Sequence, residues 1–164
     1  MERRPFNVLF LCTGNSGRSI LAECLLRHAG HGRFESFSAG SFPIGTVDRM
    51  ALDLLRHVNL PTEGLRSKSW DEFTGPGAPV MDLIITVCDD AAGEVCPVWP
   101  GHPVTAHWSV QDPLQQIDVA SREAVFHKVL RELESRIVLL TQLPLATLDR
   151  MALKSHVDGI EKGP

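Results

Sequence analysis

The run Asn7-Val-Leu-Phe-Leu-Cys12 leads directly into Thr13-Gly-Asn-Ser-Gly17. Ile20, Leu21, Cys24, Leu25 and Leu26 then follow at helical spacing from Arg18 to the Gly30/Gly32 stop. Strand, tight turn and helix are therefore fixed in that order. The apolar run is continuous rather than alternating, so the strand is buried on both faces, as in a parallel sheet covered from two sides. The pattern recurs along the chain. Phe34–Ala39, Asp82–Val87 and Val104–Trp108 are further strands, and Val47–Val58 and Ile117–Leu140 are helical by their apolar spacing. Residues 62–80 are mixed and 88–103 form a loop. Residues 144–164 are weakly helical, with no role legible in the pattern. Such alternation predicts an α/β fold with a parallel sheet and helices on both faces.

The chain has 164 residues, 43% hydrophobic and 22% charged, the balance of one soluble globular domain. Its uncharged runs are strand-length and fall far short of the ~20 residues of a membrane span. The N-terminus lacks an apolar secretory segment, so a cytoplasmic address is expected. Net charge is −4 and no Lys/Arg run exceeds two residues, which argues against nucleic acid as a partner. Any anion must be gripped locally.

The first turn offers such a grip. In Cys12-Thr13-Gly14-Asn15-Ser16-Gly17-Arg18-Ser19, glycines let successive backbone N–H groups converge, and a helix N-terminus adds partial positive charge. Arg18 supplies a planar fork for two oxygens of a tetrahedral oxyanion. The same field favours a Cys12 thiolate, to which Ser19 can donate. A buried cysteine before an ordinary turn is the bland alternative. No Walker A or dinucleotide fingerprint is present. Asp112-Pro113 lies just past a strand's C-terminal end, on the rim where open parallel sheets bind ligands. There Asp112 suits the acid that protonates a leaving oxygen. Cys88 and Cys96, as isolated residues, read equally as small buried hydrophobes. Their C-x7-C spacing with His102 and His107 does not match the usual zinc knuckles. Cys24 sits on the apolar stripe of the first helix and belongs to the core.

These residues resemble the low-molecular-weight phosphatase family, whose loop is C-x5-R-S and whose acid is an Asp-Pro aspartate. Within it they are most similar to arsenate reductases, on the opening loop, on Phe37-Ser-Ala-Gly40 and on His107-Trp-Ser-Val-Gln-Asp-Pro113. The resemblance spans about residues 7–140. It implies a three-layer sandwich around a four-stranded sheet, with residues 1–142 as the domain and 143–164 as an extension. It also implies a relay: Cys12 attacks arsenate, Asp112 protonates a leaving oxygen, Cys88 attacks Cys12 to release arsenite, and Cys96 carries the disulfide outward. Two departures stand out. Gly17 replaces a further cysteine common in such enzymes, and the Cys88–Cys96 spacing is one residue longer than in thioredoxin-coupled members.

The resemblance further implies phosphate and sulfate as competing anions and thioredoxin or glutaredoxin/glutathione as reductant. It implies a monomer and no tightly bound cofactor, beyond a potassium ion on Asn15, Glu23, Ser38 and Asp71. Ordinary polar contacts among those four are the competing reading. Tyrosine is absent, and Leu114-Gln-Gln116 follows Asp112-Pro113, so no aromatic wall for a phosphotyrosine ring is expected there. Phosphate-monoester hydrolysis remains the alternative activity, and anion binding without turnover the alternative outside enzymes.

Overall fold

The computed structural model describes residues 4–88 and 99–162. Four strands, β1 (Phe6–Leu11), β2 (Phe34–Ala39), β3 (Leu83–Thr86) and β4 (Val104–His107), form one parallel sheet in the order β2-β1-β3-β4. Among the described residues there are four α-helices: α1 (Arg18–Ala29), α2 (Arg49–His57), α3 (Val119–Thr141) and α4 (Arg150–Lys162). None is long and apolar enough to cross a membrane.

Alternating β1 residues serve opposite faces. Val8 and Phe10 join a core with α1, α2, α3 and α4, whereas Leu9 and Leu11 pack with Phe73, Met81, Ile84 and Trp99. The second face is covered by the 3-10 turn Trp70–Phe73 and its neighbours, so both faces carry helical segments around the expected four-stranded sheet.

Side-chain caps explain the helix boundaries. The α2 helix begins two residues later than its apolar pattern because Asp48 Oδ1 accepts from the Met50 and Ala51 amides at 2.9 and 3.3 Å. Asp118 caps α3 in the same way, accepting from Ser121 N at 2.7 Å, which leaves Ile117 outside the helix and exposed. The C-terminal segment, whose role the pattern leaves open, forms a helix whose Leu153, Val157 and Ile160 join the main core.

Strand register decides where function sits. Leu11 pairs with both Ala39 and Thr86, and Thr86 pairs with His107. All four strands therefore end at nearly the same level. Cys12, Gly40, Cys88 and the segment leading to Asp112 emerge together from that end.

Candidate active site

Gly40 illustrates how tightly this end is packed. A Cβ there would stand 2.4 Å from Thr13 O and 2.7 Å from Cys12 O, both backbone atoms with little room to yield. Gly40→Ala is therefore expected to cost about 1–3 kcal/mol and to displace the loop. Urea unfolding together with phosphate titration would reveal both effects.

The loop's carbonyls are turned outward. Thr13 O accepts from Phe42 N, Gly14 O from Ile44 N and Ser67 Oγ, and Ser16 O from Asp48 N, at 2.8–3.2 Å. Among the described residues, no amide from Gly14 to Gly17 donates to a protein acceptor. Gly17 caps α1 without a side-chain hydrogen bond, leaving the helix's first amides facing the same space. The result is a cradle for an anion. Its cavity of about 180 Å3 is lined by residues 12–18 together with Ile44, Cys88, Asp112, Pro113, Leu114 and Phe126.

Asn15 holds the loop's shape. It is fully buried with φ +46°, a left-handed conformation that asparagine tolerates better than most residues. Its Nδ2 donates to Ser19 Oγ at 2.8 Å and to Ser38 Oγ at 3.0 Å, and its Oδ1 accepts from Lys68 N at 2.9 Å. Ser19 Oγ accepts there, so this bond fixes its oxygen without using the hydroxyl proton expected to serve the Cys12 sulfur.

Arg18 and Asp112 meet across the cavity. Arg18 Nη1 donates to Val110 O at 3.2 Å, and Nη2 lies 3.6 Å from Asp112 Oδ2. Asp112 Oδ1 accepts from Leu114 N at 2.9 Å, so the Asp-Pro turn fixes the carboxyl through its own backbone.

Cys12 and Cys88 are both buried and line the same cavity, and Thr13 N donates to Cys88 Sγ at 3.3 Å. The Cys12 thiol is pushed well above the ordinary range, chiefly by its hydrogen bond with Cys88 and next by burial, against the pull of Arg18. The pull of Arg18 is the positive field expected from the loop, and Cys88 and burial oppose it. Cys96 lies outside the described residues. Cys24, as expected, is core, with Sγ 3.2 Å from Pro61 O.

The four residues read as a potassium site do not fit a free ion as they stand. Lys68 Nζ lies 3.2 Å from Ser38 Oγ and 3.4 Å from Glu23 Oε1, and it also donates to Arg66 O. Glu23 takes a second cation in Arg27 Nη2 at 2.5 Å and a hydrogen bond from Ser38 Oγ at 2.5 Å. Asp71 makes none of these contacts; its amide instead donates to Ser69 Oγ. The Lys68 ammonium already supplies a positive charge to Glu23 and Ser38, two of the four. Burial lowers the Lys68 pKa, while Glu23 opposes that shift. Removing one member of a buried pair leaves the other uncompensated. Lys68→Ala should therefore weaken phosphate binding and make it respond to added potassium, whereas the parent protein should bind alike in sodium and potassium buffers. Calorimetric titration in the two salts checks both.

Lys68 and Phe126 escaped the sequence. Lys68 lies in a stretch without periodicity, and no local signal marks it. Phe126 is legible only as an apolar-face residue of α3. It also borders the cavity, and a Cβ at Gly17 would stand 3.4 Å from its Cε1. A side chain longer than methyl at position 17 would therefore press on the ring. No zinc cluster forms among the described residues: no three His, Cys, Asp or Glu side chains converge, and His107 Nδ1 pairs with Thr86 Oγ1 at 2.7 Å.

The "Low molecular weight phosphotyrosine protein phosphatase" family model matches residues 7–152. An arsenate reductase of Bacillus subtilis is 31% identical over 131 residues, covering 79% of this chain and 91% of the relative. Among solved structures, an arsenate reductase from Archaeoglobus fulgidus is 28% identical with a TM-score of 0.63, covering 83% of this chain and 99% of that one. A thioredoxin-dependent arsenate reductase from Corynebacterium glutamicum is 26% identical with a TM-score of 0.61. That alignment covers 85% of this chain and 62% of the other, so here the match spans about three fifths of the relative's length. On this match and on its C-x5-R loop, the chain belongs to the low molecular weight phosphotyrosine protein phosphatase family.

Proposed function

We propose that this protein reduces arsenate to arsenite, and one observation carries the reading: a second thiol, Cys88, lines the small oxyanion cradle together with Cys12, its sulfur accepting from the amide of Thr13, the residue after Cys12. Hydrolysis of a phosphocysteine needs one thiol and a water. Reduction of arsenate needs two electrons, which two thiols supply on becoming a disulfide. Cys12 Sγ attacks arsenic, Asp112 donates a proton to the departing oxygen, and water leaves. Cys88 Sγ then attacks Cys12 Sγ, the S–As bond breaks with its electron pair going to arsenic, and arsenite leaves. Arsenate and two thiols become arsenite, one disulfide and one water. Arg18 and the loop amides hold the charged oxygens throughout.

Cys96 then takes over the bond to Cys88 and passes it to a reductant. The thioredoxin-dependent relative favours thioredoxin in that role, over glutaredoxin or glutathione. A monomeric, cytoplasmic enzyme fits this chemistry, since a reducing compartment keeps the relay supplied with electrons. Phosphate-monoester hydrolysis is the second reading, favoured by the family's phosphatase members and by a cradle suited to phosphate as well.

Arsenate-dependent NADPH oxidation with thioredoxin and its reductase tests the assignment. Repeated turnover by the parent protein, lost in Cys96→Ser, supports the full relay. Brisk aryl phosphate hydrolysis with no arsenate turnover under any thiol reductant overturns it.

A further inference from the structure

In the sheet order, β4 is an edge strand, and an open edge exposes unpaired backbone groups. Helix α4 covers it. Lys154 Nζ donates to Thr105 O at 2.7 Å, Arg150 to His102 O, and the fully buried Trp108 returns a bond from Nε1 to Val157 O at 3.1 Å. These contacts are structural. The next contact, at the end of the helix, reaches further. Glu161 Oε2 accepts from Ser109 N at 2.5 Å, while Ser109 O accepts from Arg136 Nη1 at 2.9 Å. The two peptide groups that flank Ser109 are thereby held, one by α4 and the other by α3. Val110, one residue on, gives its carbonyl to Arg18, and Asp112 follows two residues later.

We infer that Glu161 is a positioning residue, holding the Ser109 amide so that the Val110 carbonyl and the Asp112 carboxyl present themselves to Arg18 and the bound oxyanion. The inference rests on the reading of Arg18 as oxyanion clamp and Asp112 as acid. It gives the C-terminal helix a part in the chemistry as well as in covering the sheet. A carboxylate bound to a backbone N–H makes a charge-assisted hydrogen bond, stronger than a neutral one and well suited to pinning a short segment. Small displacements of catalytic groups carry large rate penalties, up to about 100-fold per ångström.

The experiment compares Glu161→Ala, Glu161→Gln and the parent as full-length chains. Glutamine keeps an acceptor oxygen for the Ser109 amide and alanine does not. The readouts are kcat and KM for arsenate, phosphate affinity by calorimetry, and the thermal midpoint. Asp158→Ala, on the same helix and paired with Lys154, is the control. Glu161→Ala is expected to lower kcat about tenfold and to weaken phosphate binding about threefold through Arg18. Glu161→Gln should recover most of both losses, and Asp158→Ala should leave them unchanged. Unchanged kcat and phosphate affinity in Glu161→Ala overturns the inference, as does Glu161→Gln failing as badly as alanine. Should the parent itself not turn over arsenate, the reductase reading falls, while the phosphate titration still decides whether Glu161 acts on Arg18.

Discussion

Cys12→Ser is expected to bring arsenate turnover to background while leaving phosphate affinity within about threefold of the parent. The asymmetry follows from the division of labour in the loop. Binding draws on the amides of Gly14 to Gly17, the start of α1 and the Arg18 fork, none of which uses the sulfur. Chemistry depends on it wholly, because a serine hydroxyl, with a pKa far above any thiol, neither attacks arsenic at neutral pH nor yields electrons to it. Steady-state NADPH oxidation and calorimetric phosphate titration on the same preparation separate the two. Retained turnover in Cys12→Ser would remove Cys12 from the mechanism. Lost phosphate affinity would mean that the sulfur shapes the cradle.

The second large effect concerns Cys88, and it has two arms of opposite sign. Cys88→Ala should abolish catalytic turnover, since no second thiol remains next to Cys12 to accept the bond. The same substitution should make Cys12 easier to ionise. In the parent the hydrogen bond with Cys88 is the foremost influence raising the Cys12 thiol, with burial second and Arg18 opposing both. Deleting the partner removes the largest raising influence and leaves the Arg18 charge, so the Cys12 pKa falls. A thiol whose pKa falls by one gains about tenfold in thiolate wherever it is still mostly protonated. Alkylation of Cys12 by iodoacetamide, followed across pH by peptide mass analysis, should therefore begin at lower pH in Cys88→Ala. An unchanged or higher onset would show that the two sulfurs do not share a proton. Loss of turnover with an earlier alkylation onset is the combined signature expected.

Local signals carried much of this architecture. The apolar run before Cys12 and the glycines after it specify a strand, a loop and a helix whose bounds differ by a residue at most from those observed. Boundaries slipped where a capping side chain overrode the apolar pattern, as with Asp48 and Asp118. Cys12, Arg18 and Asp112 stood out in the sequence because each borders a turn of marked composition, and the structure brings the three to one cavity. What could not be read was anything assembled across the fold. Lys68 reaches Glu23 and Ser38 from a stretch with no period, and Glu161 reaches Ser109 from a helix 52 positions away in sequence. The ionisation of Cys12 also depended on a partner 76 positions along, which the loop's own field could not disclose.

The common level at which the strands end has one more consequence. Because Leu11, Ala39, Thr86 and His107 stand in one rank, the sheet acts as a shelf, and Cys12, Cys88 and Asp112, from the segments after β1, β3 and β4, reach the same small volume. On such a shelf, an enzyme that splits phosphate esters and one that moves electrons onto arsenic need not differ in core or topology. On the proposed chemistry, Cys88, two residues beyond β3, is what lets the covalent intermediate meet a second sulfur rather than wait for water.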